Sequence, residues 1–300
     1  MSTQEERRTL YSVEDHIATI TINRPPHNAL THKDIAELTE LVTEADNDDN
    51  VRVMVLTGAG DRAFSVGGDI KTLFKKSIEA RENAGVMDAQ THEELDLKGA
   101  EYLFKSTEES QKELLYMNLM KKHRNVGWVH NLLRSVHTPS IAAVNGDAVG
   151  LGCEIALCCD IRIASENARF GEAFVKLGVT PEMALFLLPR IVGLSKAYEM
   201  VLTGSLVDAA EAYRTGIVSK VVPQDQLMST TMEMAARIAS NPPAAVRIIK
   251  EGMRQFLNVP LEELHVFTRT AWQLLDRSDD FKEAVAAFTE KRKPVFTGKL

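Results

Sequence analysis

Residues 140–171 read SIAAVNGDAVGLGCEIALCCDIRIASENARFG, and this stretch decides the fold. Ser140–Asn145 is a short run with β-branched residues that stops at Gly146, the pattern of a strand closed by a turn. Gly150 and Gly152 bracket Leu151, where a helix is expected to begin. A further strand, Asp160–Ala164, follows. Strand, glycine turn, helix and strand in that order predict an α/β core.

The same grammar extends outward. His16–Asn23 (HIATITIN) sets Ile17, Thr19 and Thr21 against Ala18, Ile20 and Ile22, an alternation of period two. Val51–Thr57 (VRVMVLT) runs into Gly58-Ala59-Gly60, and a helical stretch, His32–Ala45, lies between these two strands. From about Pro223 the chain reads as helical. Asn241-Pro242-Pro243 looks like a helix start, with Val246, Ile249, Met253 and Phe256 on one face behind it. Asp280 and Glu283 have capping-box spacing. Residues 71–136 are polar and mostly helical, and about 75–136 are expected to form an insertion, either a lid or a solvated surface segment. The division expected is a core over 1–222 and a helical region over 223–300.

Composition removes several classes of function. The 300 residues are 44% apolar and 26% charged, ordinary for a globular chain. A net charge of −7 argues against a nucleic-acid binder, which needs a basic stripe. The sequence holds no run of apolar residues long enough for a membrane span. MSTQEERRTLYSVEDHI is charged where a secretory signal is apolar, so the expected location is cytoplasmic. Cys153, Cys158 and Cys159 sit in an apolar segment and are expected to be buried thiols.

Two glycine turns carry the candidate chemistry: Ala63-Phe64-Ser65-Val66-Gly67-Gly68-Asp69-Ile70, and Asn145 to Glu154. Glycine lets backbone approach a ligand and adopt φ > 0. A helix starting near Leu151 aims unpaired N–H groups and a positive dipole end at that ligand. Rival motifs fail. The third glycine of a dinucleotide fingerprint is replaced by Ile155, and Ser65 lacks the glycine of a nucleophile elbow. No phosphate loop occurs, and the histidines have no zinc spacing. Glu154 lies three residues beyond Leu151, on the same helical face, in an otherwise apolar run. A buried carboxylate there is expensive unless it is functional or paired, for instance with Arg162.

These segments, taken together, resemble the crotonase, or enoyl-CoA hydratase/isomerase, superfamily. The resemblance also includes Asn23-Arg24-Pro25, Asn28-Ala29-Leu30, Gly193-Leu194-Ser195-Lys196-Ala197, Val201–Gly204, Gly216-Ile217-Val218, Val222-Pro223 and Phe288–Pro294. It implies a spiral of ββα units followed by a helical trimerisation region, with trimers or pairs of trimers as the assembly. It implies an acyl-CoA thioester as substrate, with no metal or redox cofactor. It places an oxyanion hole at the N–H groups of Gly68 and Leu151. Asn28, Ala29 and the turn Gly67, Gly68, Asp69 and Ile70 match the backbone that cradles CoA, and Arg24, Arg62 and Lys291 are phosphate candidates. Two such donors stabilise an enolate oxygen by ~3 kcal/mol each.

One position departs from the family pattern. Hydratases of this family use two glutamates; the first matches Glu154, and the second falls at Phe174. Phenylalanine neither holds nor protonates water. Glu172 could substitute only from an extended segment. Glu182 matches the position where several double-bond isomerases carry an acid; read structurally, it is a helix-start acid after Pro181. The reading therefore leans to isomerisation. Hydration of an unusual enoyl- or dienoyl-CoA, C–C hydrolysis of a β-dicarbonyl and a non-catalytic CoA-binding homologue are the alternatives. His123, Trp128 and His130 lie in the insertion, within reach of an acyl pocket.

Overall fold

A computed structural model describes residues 8–73, 133, 135–255 and 261–298. His123, Trp128, His130 and nearly all of the expected insertion lie outside these residues.

Two sheets form the frame. The larger has six strands: β1 (Thr9–Glu14), β2 (Ile17–Ile22), β3 (Val53–Gly58), β5 (Ser140–Val144), β7 (Ile161–Ser165) and β10 (Lys220–Val222), adjacent in that order. All its pairings are parallel except β1 with β2. The smaller sheet orders β4 (Ala63–Ser65), β6 (Asp147–Val149), β8 (Arg169–Gly171) and β9 (Val207–Asp208). Three times a strand of the large sheet is followed by a strand of the small one and then by helix. β3 and β4 lead to α2 (Ile70–Leu73). β5 and β6 lead to α3 (Leu151–Cys158). β7 and β8 lead to a 3-10 helix (Ala173–Leu177) and α4 (Met183–Thr203).

The strand alternation divides the core. Met54, Leu56, Ala142 and Val144 face α1 (His32–Asn47), α3 and α4, while Val53, Val55, Ile141 and Ala143 face α6 (Leu227–Ala239). A parallel sheet covered on both faces needs such apolar runs. Helix α6 lies beyond residue 222, so packing on the sheet continues to about residue 239. Thr31 and Asp34 close α1 with a reciprocal capping box. After α5 (Ala209–Thr215) and α6 the chain ends in α7 (Pro243–Gln255), α8 (Leu261–Leu275) and α9 (Asp279–Glu290).

The capping box expected at Asp280 is replaced by another arrangement. Ser278 caps α9 by accepting the Phe281 N–H, and Asp280 accepts the N–H groups of Thr297 and Gly298, tying the tail back. Ser278 competes successfully because a hydroxyl at the N-cap satisfies an orphan donor locally. No helix among the described residues is long and apolar enough to cross a membrane.

Candidate active site

Strands β4 and β6 are parallel neighbours, Ala63 opposite Asp147 and Ser65 opposite Ala148, so the turns that follow them leave the sheet side by side. Gly67 has φ 85°, and a Cβ there would stand 2.8 Å from the Val149 carbonyl oxygen and 2.9 Å from the Leu151 nitrogen. Only glycine permits that approach. Leu30 pairs with this turn by donating to the Gly67 carbonyl (2.7 Å) and accepting from the Asp69 N–H (2.8 Å), which leaves the Gly68 N–H outside the pairing. Leu151 opens α3, so its N–H has no acceptor within the helix. Gly68 and Leu151 both line a cavity of about 420 Å³.

The side chains of Ser65, Asn28 and Asn145 hold these turns. Ser65 Oγ donates to the Asn28 carbonyl (2.7 Å) and accepts the Gly67 N–H (3.1 Å). Asn28 is buried with φ 51°; its amide donates to the carbonyls of Ala59 and Ala63, and its Oδ1 accepts the Arg24 N–H. Asn145 accepts the Gly58 N–H and donates to Gly60 and Ala63. An asparagine at a strand end before glycine was the available signal for Asn145.

Two acids open on the cavity. Glu154 is 2% exposed, and its Oε1 accepts the N–H groups of Glu182 (2.7 Å) and Ala184 (3.1 Å) in the first turn of α4. The Arg162 alternative fails: that guanidinium donates to the carbonyls of Ala156, Leu157, Cys159 and Ile217, at the opposite end of α3. Glu182 is the exposed N-cap residue of α4, yet its side chain makes no capping bond. It lines the cavity with Glu154.

Phe174 also lines the cavity, its ring 3.7 Å from where a Cβ on Gly150 would stand. Glu172 does not. It is fully buried at the junction between β8, which ends at Gly171, and the 3-10 helix that starts at Ala173 and carries Phe174. The remaining wall is largely apolar, from Val66, Ile70, Val149, Leu177 and Val179, with Lys176 at its edge.

The CoA candidates divide. The Arg24 guanidinium donates to the Asp69 carboxylate (2.7 Å) and the Ala29 carbonyl (2.6 Å), joining the two expected CoA-binding backbone segments. Arg24 in turn holds the Asp69 carboxyl below the usual carboxylate range. Ile70 is exposed at the cavity mouth. Arg62 and Lys291 are exposed and outside the cavity lining. Among the described residues no group of three His, Cys, Asp or Glu side chains could hold a metal ion.

Two backbone N–H groups and two carboxyls thus meet in one largely apolar cavity. The enoyl-CoA hydratase/isomerase family model matches residues 12–96 and 106–299. The short-chain-enoyl-CoA hydratase of Clostridium acetobutylicum is 33% identical over 96% of this chain and 97% of its own. The (E)-benzylidenesuccinyl-CoA hydratase of Thauera aromatica is 36% identical over 95% and 97%. The crystal structure of the Bacillus anthracis enoyl-CoA hydratase superposes with a TM-score of 0.77 at 30% identity, covering 97% of this chain and all of that one. The chain belongs to the enoyl-CoA hydratase/isomerase family of the crotonase superfamily.

Proposed function

We propose that this protein moves a double bond in an acyl-CoA thioester, through an enolate held by the Gly68 and Leu151 N–H groups. The observation that carries the reading is that Glu154 and Glu182 share the cavity of those donors while Phe174 takes the place of the second hydratase acid. One carboxylate removes a proton from the carbon next to the thioester, and negative charge moves to the thioester oxygen. The other carboxyl group delivers a proton two carbons further along the chain as the double bond shifts. Each proton transfer is worth ~10²–10⁴ in rate when the group is well placed.

The CoA moiety lies along the backbone of Asn28, Ala29 and Gly67 to Ile70, with Arg62 and Lys291 taking its phosphates. Arg24 is engaged by Asp69 and Ala29, and it serves by holding that backbone. The repeated strand–strand–helix succession supports a ββα spiral, and the apolar surface of α7 to α9 supports a trimer or a pair of trimers.

A second reading is hydration of an unusual enoyl- or dienoyl-CoA, favoured by the hydratase names of the relatives. A screen of acyl-CoA thioesters by mass spectrometry and absorbance separates them. Isomerisation leaves the mass unchanged and alters the absorbance; hydration adds one water. Cleavage of a β-dicarbonyl C–C bond yields two shorter products from the same enolate. If no acyl-CoA binds, the enzyme reading falls.

A further inference from the structure

Glu172 is a buried acid with no part in the proposed reaction. It is 0% exposed, and neither carboxyl oxygen has a nitrogen or oxygen donor among the described residues; only the weak Cys153 thiol stands beside it. Its side chain leaves the N–H groups of the following 3-10 helix uncapped. An ionised carboxylate in such a place costs several kcal/mol, so the group needs either a partner or a proton.

The geometry places it behind Glu154. Gly150, at the start of α3, donates its N–H to the Gly171 carbonyl (2.8 Å), which fixes the residue before Glu172 against the helix that bears Glu154. The groups acting on Glu172 come from that helix: the Glu154 carboxylate and the Cys153 thiol, a weak donor. Neighbouring elements bring charges that are engaged elsewhere. Arg169 leaves β8 on the opposite face and pairs with Asp147 of β6 at 2.7 Å. Asp208 of β9 accepts the Glu211 N–H of α5. Glu182 of α4 reaches Glu154 by its backbone N–H.

We propose that Glu172 is a positioning residue, an uncharged carboxyl packed behind Glu154 that holds the pair at a single negative charge, so that ionisation of Glu172 shuts the site. The inference rests on the reading of Glu154 as an acid/base group. Burial, then the charge on Glu154, push the Glu172 carboxyl well above the usual carboxylate range, and the Cys153 thiol is pushed up by the same burial. When Glu172 ionises, a second negative charge enters the low-dielectric space behind Glu154, where it opposes the build-up of negative charge in the transition state.

The test uses infrared titration of the full chain as wild type, Glu172→Gln and Glu154→Gln, with pH profiles of turnover on the acyl-CoA found by the screen. The wild type is expected to show a protonated-carboxyl band that persists above the usual carboxylate range and that Glu172→Gln lacks. Glu154→Gln is expected to lose that band at lower pH than the wild type, because removing the Glu154 charge eases ionisation of Glu172. The wild-type kcat/KM is expected to have an alkaline limb that is absent in Glu172→Gln. Should Glu172→Gln fold poorly, Glu172→Met, apolar and of similar length, carries the same expectation. A band unaffected by Glu172→Gln overturns the proposal, as does an alkaline limb that Glu172→Gln leaves unchanged. If no acyl-CoA is turned over, the Glu154→Gln titration decides: an unshifted band overturns the coupling, and a shifted band supports it while the enzyme reading falls.

Discussion

Glu154 and Glu182 meet at one helix terminus but differ in how they are held. Glu154 is anchored by two N–H donors of α4, whereas Glu182 lends its N–H to that anchor and turns an exposed carboxyl to the cavity. Glu154→Gln keeps a carbonyl oxygen able to accept both N–H groups, so stability should change by less than about 1 kcal/mol. Its kcat should fall by ~10²–10⁴. Glu182→Gln should lower kcat by a similar factor with no loss of stability, since its side chain caps nothing. Steady-state kinetics beside thermal melting separates the two effects. Phe174→Glu tests the departure from the hydratase pattern directly. With a second acid opposite Glu154, hydration of a short enoyl-CoA should rise by roughly tenfold or more over the wild type, read as product heavier by one water. Glu154 stood out from the glycine turn and its spacing from Leu151, and Glu182 only from the family resemblance; that Glu172 is buried while Phe174 lines the cavity was not legible. Two residues that share a face in a strand diverge once a 3-10 helix intervenes, and local sequence does not show where that change occurs.

At the scale of elements, the site depends on how tightly α3 is pressed on β4. A Cβ on Gly152 would lie 2.0 Å from the Ser65 carbonyl oxygen. Gly152→Ala should therefore push the start of α3, and with it the Leu151 N–H, away from Gly68. A loss of about 1–3 kcal/mol or more is expected by chemical denaturation, together with a fall in turnover larger than the stability loss explains. Strand β2 was legible from period-two alternation, β3, β5 and β7 from β-branched runs bounded by turn residues, and α1 from its helical run; β1, as long as β2 and β3, was not read. Strands β4, β6 and β8 were not, because three residues are too few to show a period. They exist through pairing with each other. Arg162 illustrates the same limit: four carbonyls brought together by α3 and Ile217 engage it, and no local pattern reports them.

Across the whole molecule, the helices α7 to α9 leave their apolar side chains uncovered. Phe288 is 87% exposed, with Met253, Val266, Trp272 and Val285 also exposed, and a second cavity of about 480 Å³ opens between these helices. Patches of this kind mark interfaces. Phe288→Asp should shift the proposed trimer towards monomer in light scattering. In the isolated chain the change should cost no more than about 0.5 kcal/mol, as expected for a surface substitution. The region is joined to the core by Lys250, which pairs with Asp160 (2.8 Å) and donates to the Thr138 carbonyl, and by Arg52, which donates to the carbonyls of Ala239 and Phe296. The expected break at residue 222 marks a change of secondary structure, while packing carries α6 back onto the sheet.

The sequence by itself determined the α/β class, the two glycine turns and the acid beside the second, since each answers to a local rule of backbone geometry or period. Only the tertiary structure decided which carboxyl faces the cavity and which is sealed behind it, and that Arg24 and Arg162 are already engaged. Burial and hydrogen-bond partners depend on segments far apart in the chain, such as Glu154 and Glu182, and their desolvation and electrostatics arise only when those segments pack together.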